Sequence, residues 1–232
     1  MQGRFLADLV RRFSLRLDLE HFEYLCGRGA SEDQIDGLSL GSVFGAFTPT
    51  NDPDQVAFKK WSWGLKRIRD HISYPLTDQA GDVVGVLTGD HIEKNYSKFT
   101  MSHATSTAFL FGLPLAIQSI WDTKVVWLVE GVFDWFPLQR VIPNTVAITF
   151  DSPGWKQIQF VKRYADVVVL AIDQDEAGKK GVEIAKKRFG PDFDVRVAQY
   201  PGKDPGEFWA DRGEMDFKRH FQREAGRLGV AI

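Results

Sequence analysis

Two stretches limit what this chain can fold into: Val125-Val-Trp-Leu-Val-Glu130-Gly131-Val-Phe-Asp134 and Val167-Val-Val-Leu-Ala-Ile-Asp173-Gln-Asp175-Glu-Ala-Gly178. Each is an unbroken apolar run, rich in β-branched residues, that stops abruptly at carboxylates. A strand buried on both faces has this pattern where it reaches the edge of a parallel sheet. Open α/β sheets bind their ligands just outside the carboxyl ends of the strands. Glu130, Asp173 and Asp175 are therefore expected on one rim, distant in sequence and close in space. Three carboxylates gathered in one place repel each other unless a cation lies among them. Ligands that are all oxygen point to Mg²⁺ or Mn²⁺.

The 232 residues suffice for one large domain or two small ones, and 44% hydrophobic with 26% charged residues is ordinary globular composition. A formal net charge of −2 excludes a uniformly basic protein that coats nucleic acid, so any such contact must use a local basic patch. Cys26 is the single cysteine, which excludes an internal disulfide and a cysteine-based zinc site. His21, His71, His91, His103 and His220 show no metal-ligand spacing. The apolar runs are far shorter than a membrane span, and the N-terminal residues lack an apolar signal core, so a soluble cytoplasmic protein is expected.

The rhythm of the chain changes near residue 121. Before it, residues 4 to 29 predict helix from Phe5, Leu6, Leu9, Val10 and Phe13, with Arg11, Arg12 and Arg16 on the opposite face. Ser31-Glu-Asp-Gln34 is a capping-box signature ahead of Ile35 and Leu38. Residues 41 to 60, rich in Gly, Pro and Asn, are expected as loop. Ile72–Leu76 and Val83–Leu87 flank Asp78-Gln-Ala-Gly81, a hairpin signal. Residues 105 to 120 predict an amphipathic helix that Pro114 bends or interrupts. After residue 121, strands at 125–129, 145–149, 167–172 and 194–199 alternate with helices, including ones at 155–164 and 177–188, the pattern of a parallel sheet with right-handed crossovers. The expected organisation is an α+β portion at 1–120, a doubly wound α/β domain at 121–212 and a charged helical tail at 213–232.

The glutamate after one strand and the Asp-x-Asp after a later one, here Glu130 and Asp173-Gln-Asp175, resemble the TOPRIM domain shared by topoisomerases, bacterial primases, RecR-type recombination proteins and some nucleases. Further segments are similar to the catalytic core of DnaG-like bacterial primases. These are Tyr24-Leu-Cys-Gly-Arg28-Gly29-Ala-Ser31, the stretch from Arg67 and Arg69 through Tyr74-Pro75-Leu76 to Gly85, Leu110-Phe-Gly112-Leu113, Glu130-Gly-Val-Phe-Asp134, Asp173-x-Asp175-x-Ala177-Gly178, and Lys203-Asp204-Pro205-x-Glu207. Six short matches in family order, spread over residues 24 to 208, form a strong joint signal although each alone is weak.

That resemblance implies an α+β primase-core portion followed by a TOPRIM portion. It also implies synthesis of short RNA primers on single-stranded DNA from ribonucleoside triphosphates. It assigns Glu130, Asp173 and Asp175 to two or more Mg²⁺ or Mn²⁺ ions, with no zinc, and gives Asp134 and Asp204 lesser roles as ligands or as groups around them. It points Arg28, Arg67, Arg69, Lys94 and Lys98 toward template or triphosphate, with Lys94 and Lys98 competing for one family position. The departures lie mostly in the basic set. Asp82 and Asp90 stand where the family has basic residues, Ser106 and Ala108 replace those before Leu-Tyr-Gly-Leu, and Gly206 replaces the last aspartate of Lys-Asp-Pro-Asp. The zinc-binding and helicase-binding domains that flank the core in family members are missing from this reading, which suggests a phage or other mobile element. A separate zinc-domain protein or a replicative helicase then becomes an expected partner.

Other readings stay open on the residues alone. Asp173 and Asp175 can cap the helix that follows, Asp134 can cap the first helix or form an ion pair, and Asp204-Pro205 can simply open a turn. Arg28 can close the Gly27–Gly29 turn. Trp61 and Trp63, two apart, read as packed strand residues rather than base-stacking platforms. Lys179, Lys180, Lys186 and Lys187 read as a solvated helix face. Gly178 and Gly181 fall inside a helix pattern, which argues against a phosphate loop. A TOPRIM nuclease would use the same carboxylates to activate water, and a non-catalytic relative would bind single strands or scaffold a replisome.

Overall fold

The computed structural model describes residues 4–43, 53–63, 70–78, 81–92, 96–100, 109–149 and 152–232. Two compact units emerge, one formed by Met1–Gly27 with Glu32–Ser106 and the other by Arg28–Ser31 with Thr107–Ile232.

In the first unit, α1 (Arg4–Ser14), α2 (Leu19–Gly27), α3 (Glu32–Gly37), β1 (Gly41–Ser42), α4 (Pro53–Trp63), β2 (His71–Thr77), β3 (Val83–Asp90) and β4 (Tyr96–Thr100) follow in order. The strands form one antiparallel sheet in the order β1-β2-β3-β4. The apolar stripe of α1 does what its spacing demands: Leu6, Leu9, Val10 and Phe13 are buried with Val43, Phe58, Val86 and Phe99. The β2–β3 hairpin turns where the sequence places it, with the Asp78 N–H donating to the Asp82 carbonyl at 3.0 Å. Its ladder carries a register shift between Leu76 and Thr77.

The expected loop at 41–60 is partly helix. Residues 53–63 form α4 because Phe58, fully buried against Phe5, Trp61 and Phe99, anchors that segment to the core. Trp61 and Trp63 therefore lie on a helix and not on a strand. The Trp61 indole donates to Ser97 Oγ at 2.9 Å, whereas Trp63 is 72% exposed beneath the Lys59 ammonium. Proximity in sequence alone cannot separate period 2 from the last turn of a helix when only two residues define it.

The second unit contains α5 (Leu113–Thr123), β5 (Val125–Val129), α6 (Val132–Gln139), β6 (Thr145–Ala147), α7 (Trp155–Tyr164), β7 (Val167–Ala171), α8 (Glu176–Phe189), β8 (Asp194–Val197) and α9 (Pro205–Leu228). Its four strands are all parallel, ordered β6-β5-β7-β8. Alternate residues serve opposite faces. Val126, Leu128, Val146, Ile148, Val168 and Leu170 pack with α5, α7 and α8, while Trp127 meets Phe221 of α9. An antiparallel bridge, Phe111 with Ala147, adds one residue to the outer edge of β6.

Two boundaries differ from the sequence rhythm. The units divide at 106 rather than 120, because α5 buries Leu113, Ala116 and Ile120 in the core of the parallel sheet. Pro114 starts this helix instead of bending it, in the first turn where its missing N–H leaves no gap. Residues 213–228 are the C-terminal stretch of α9, separated from the start of that helix by a break at Gly213 (φ 75°), and they bury Phe217, Phe221 and Ala225. That segment is a structural layer, not a tail.

Candidate active site

The carboxyl edge of the parallel sheet gathers acidic side chains from the connections that follow three neighbouring strands, β5, β7 and β8. Val129 of β5 pairs with Ala171 of β7, so Glu130 and Ile172 leave the sheet side by side, with Asp173 next. The chain at Glu130 is pinned through its backbone, its carbonyl accepting the Thr149 N–H at 2.9 Å while Ile148 donates to Val129. Thr149 adopts φ 56°, a left-handed conformation unfavourable for a β-branched residue, at this point of closure. At the end of β7 the Tyr200 hydroxyl donates to the Ile172 carbonyl at 2.6 Å.

Asp173 and Asp175 stand one residue on either side of Gln174, whose backbone N–H donates to the Lys203 carbonyl at 2.7 Å. Lys203 then places its ammonium between the two aspartates, 3.2 Å from Asp173 Oδ2 and 3.5 Å from Asp175 Oδ2. Asp175 also caps α8, accepting the Gly178 N–H on Oδ1 at 2.9 Å. Its carboxyl is held below the usual range, first by that N–H and then by the Lys203 charge. Asp173 is the more enclosed of the two, 15% exposed against 41%, and burial raises its proton affinity despite the lysine. The pair raises the lysine's own pKa.

Asp134, buried on α6, spans two connections. Oδ2 accepts the Gly131 N–H at 2.9 Å, and Oδ1 accepts the Gly206 N–H at 3.1 Å across to the start of α9. Burial, and next the neighbouring Asp204 carboxylate, push its pKa up against the pull of those two N–H groups. Gly206 permits this approach: a Cβ there would stand 3.0 Å from the Phe133 carbonyl oxygen and 3.2 Å from Asp134 Oδ1. Asp204 caps α9 through the Glu207 N–H at 2.7 Å, and Glu207 returns a carboxylate oxygen to the Lys203 N–H at 2.6 Å.

The structure thus brings Asp173 within electrostatic reach of Asp134, Asp175 and Asp204, and Asp134 within reach of Asp204, at the edge where Glu130 follows β5. The capping roles of Asp175 and Asp204 coexist with this grouping, because a carboxylate has a second oxygen to offer. Among the described residues no three His, Cys, Asp or Glu side chains stand ready as a metal cage. The Asp173–Asp175 pair nevertheless fits a cation, since its donors are all oxygen and an ammonium already bridges them.

Of the basic residues, Arg28 groups with the second unit and lays its guanidinium over the Phe133 ring, 4.6 Å from the centroid. Its Nε is buried and has no acceptor among the described residues. Lys98 lies half-buried on β4, where burial lowers its pKa to about 8. Arg67, Arg69 and Lys94 lie outside the described residues. Lys203 was legible only as a member of a motif, and Thr149 carried no signal, because β-branched residues rarely adopt positive φ.

Residues 127–209 match the family model described as Toprim-like. The solved E. coli primase catalytic core superposes with a TM-score of 0.79 at 19% identity, covering 98% of this chain and 80% of that one. A DnaG primase catalytic domain bound to single-stranded DNA superposes with a TM-score of 0.76 at 20% identity, covering 95% and 80%. This chain has the fold of the DnaG-type primase catalytic core. The likeness extends to sequence: the DNA primase of Clostridium acetobutylicum is 31% identical over 164 residues, which are 66% of this chain and 26% of that protein. The chain spans about a quarter of the length of that curated relative. Both portions expected of a DnaG-type core are present, the antiparallel sheet first and the Toprim-like parallel sheet second. No helix among the described residues is long and apolar enough to cross a membrane.

Proposed function

We propose that this chain is a primase catalytic core that builds short RNA primers on single-stranded DNA by metal-dependent nucleotidyl transfer. The observation that carries the reading is the grouping of Asp173, Asp175, Asp134 and Asp204 at the carboxyl edge next to Glu130, in a DnaG-type fold. The DNA primase relative and the single-stranded DNA in a structural neighbour support the substrate classes.

In the reaction, the 3′-hydroxyl of one nucleotide attacks the α-phosphorus of the next, its proton leaves, and pyrophosphate departs. Glu130, Asp173 and Asp175 would hold Mg²⁺ or Mn²⁺, with Asp134 and Asp204 around them. When bound, such a cation lowers the pKa of the attacking hydroxyl and offsets the charge of the triphosphate. The protein's own contribution is positional. Asp134 ties the Gly131 turn to the start of α9 and so fixes the edge on which the ligands stand. Arg28, stacked on Phe133, presents N–H donors suited to a phosphate. Arg67, Arg69, Lys94 and Lys98 are assigned to template or triphosphate by the resemblance to DnaG-like cores.

The test is de novo synthesis on single-stranded DNA with labelled ribonucleotides and Mg²⁺ or Mn²⁺, comparing wild type with Glu130→Gln. Short products from the wild type that fall by about 100-fold or more in the variant are expected. Loss of template in place of gain of product would replace this reading with a nuclease. Silence from both proteins, even with a zinc-domain protein and helicase added, would replace it with a binding role.

A further inference from the structure

Lys203 is built into its position at both of its backbone groups. Its carbonyl accepts from Gln174, the residue between the two aspartates, and its N–H donates to Glu207, itself locked into the cap of α9. A lysine on a mobile surface loop meets a carboxylate by chance, with little net effect. One clamped at both ends beside an Asp-x-Asp pair is held there by the fold. Its ammonium lies 3.2 and 3.5 Å from the Oδ2 atoms of Asp173 and Asp175, the oxygens of that pair turned toward a shared cation. Asp175 Oδ1 is committed to the Gly178 N–H, so Oδ2 is its oxygen that faces the lysine.

We infer that Lys203 is a resident counter-ion that a divalent metal must displace, so that metal loading at Asp173 and Asp175 is an exchange of cations and not the filling of a bare acidic pocket. This rests on the metal-binding reading of the two aspartates and adds a competitor to it. The ammonium offsets the repulsion of the pair while no metal is bound. It also weakens metal affinity, because the incoming ion must break both of these ion pairs. The lysine side chain is 53% exposed, so it has solvent to move into once displaced.

The experiment is Mn²⁺ titration, read by electron paramagnetic resonance of the free ion, on the full chain without nucleotide. Wild type, Lys203→Met and Asp173→Asn are compared, with melting temperature measured for each with and without Mn²⁺. Lys203→Met is expected to bind Mn²⁺ about fivefold more tightly than wild type. It should melt lower than wild type without metal, and gain more on adding Mn²⁺. A lysine that merely braces the loop would lower the melting temperature and leave Mn²⁺ affinity equal or weaker, which overturns the inference. If wild type binds Mn²⁺, Asp173→Asn loses it and Lys203→Met matches wild type, the exchange fails while the metal reading stands. If wild type and Lys203→Met both leave Mn²⁺ free, the metal reading fails and the exchange with it.

Discussion

At the scale of single residues, the clearest consequence belongs to Lys98. Burial lowers its pKa to about 8, so the folded protein binds its proton less tightly than the unfolded chain does, where a lysine titrates near its ordinary value of 10.5. The resulting destabilisation is fully present below about pH 8 and disappears as pH rises through 10.5. Lys98→Met is therefore expected to melt higher than wild type at neutral pH, with the advantage shrinking between pH 8 and 10.5. Thermal unfolding of both proteins across that range is the check, and a constant difference would refute the assignment. The residue scale is also where sequence reading fell shortest. The place of Glu130, Asp173 and Asp175 just beyond β5 and β7 was legible because an apolar run stopping at a carboxylate is a local pattern. The contact of Lys203 with Asp173 and Asp175 is not local. It depends on β8 lying beside β7 and on one backbone hydrogen bond from Gln174, neither of which is written at position 203.

At the scale of elements, the start of α8 decides where the Asp-x-Asp turn can sit. Gly178 packs so closely on the end of β7 that a Cβ there would overlap the Asp173 carbonyl oxygen, and its N–H also caps the helix through Asp175. Gly178→Ala must push the helix away from the strand and carry both aspartates with it. It is expected to destabilise the protein by about 2 kcal/mol and to lower primer synthesis by more than tenfold. Urea unfolding and the synthesis assay measure the two effects, and a wild-type rate in the variant would disprove the coupling. Strands and helices of the parallel sheet were readable because buried β-branched runs and 3.6-residue periodicity are strong signals. The segment 53–63 was not, since its helical character rests on Phe58 finding Phe5, Trp61 and Phe99, a tertiary event that overrides Gly- and Pro-rich surroundings.

At the scale of the whole molecule, the Toprim-like match ends at residue 209 but the second unit does not. Phe217, Phe221 and Ala225 of α9 are buried, with Phe221 against Trp127 and Tyr200. Removing residues 213–232 would uncover the sheet face that carries Trp127. The loss of two buried phenylalanines alone is worth about 3–6 kcal/mol, a large fraction of the stability of an ordinary domain. The truncated chain should show a lost or greatly lowered cooperative melt by circular dichroism, and an unchanged melt would contradict the packing. Charged composition had marked this stretch as peripheral, yet a helix can be polar over most of its surface and still seal a sheet with one stripe. The opposite margin of that sheet has its own consequence. Phe111 exchanges both backbone hydrogen bonds with Ala147 on the outer side of β6, at 2.9 and 3.0 Å, while β8 presents the Asp194–Arg196 ion pair on the other border. At Ala147 one border is occupied by the chain's own backbone, and the other carries a charged pair, two features that make strand addition by a neighbouring molecule less favourable where they stand.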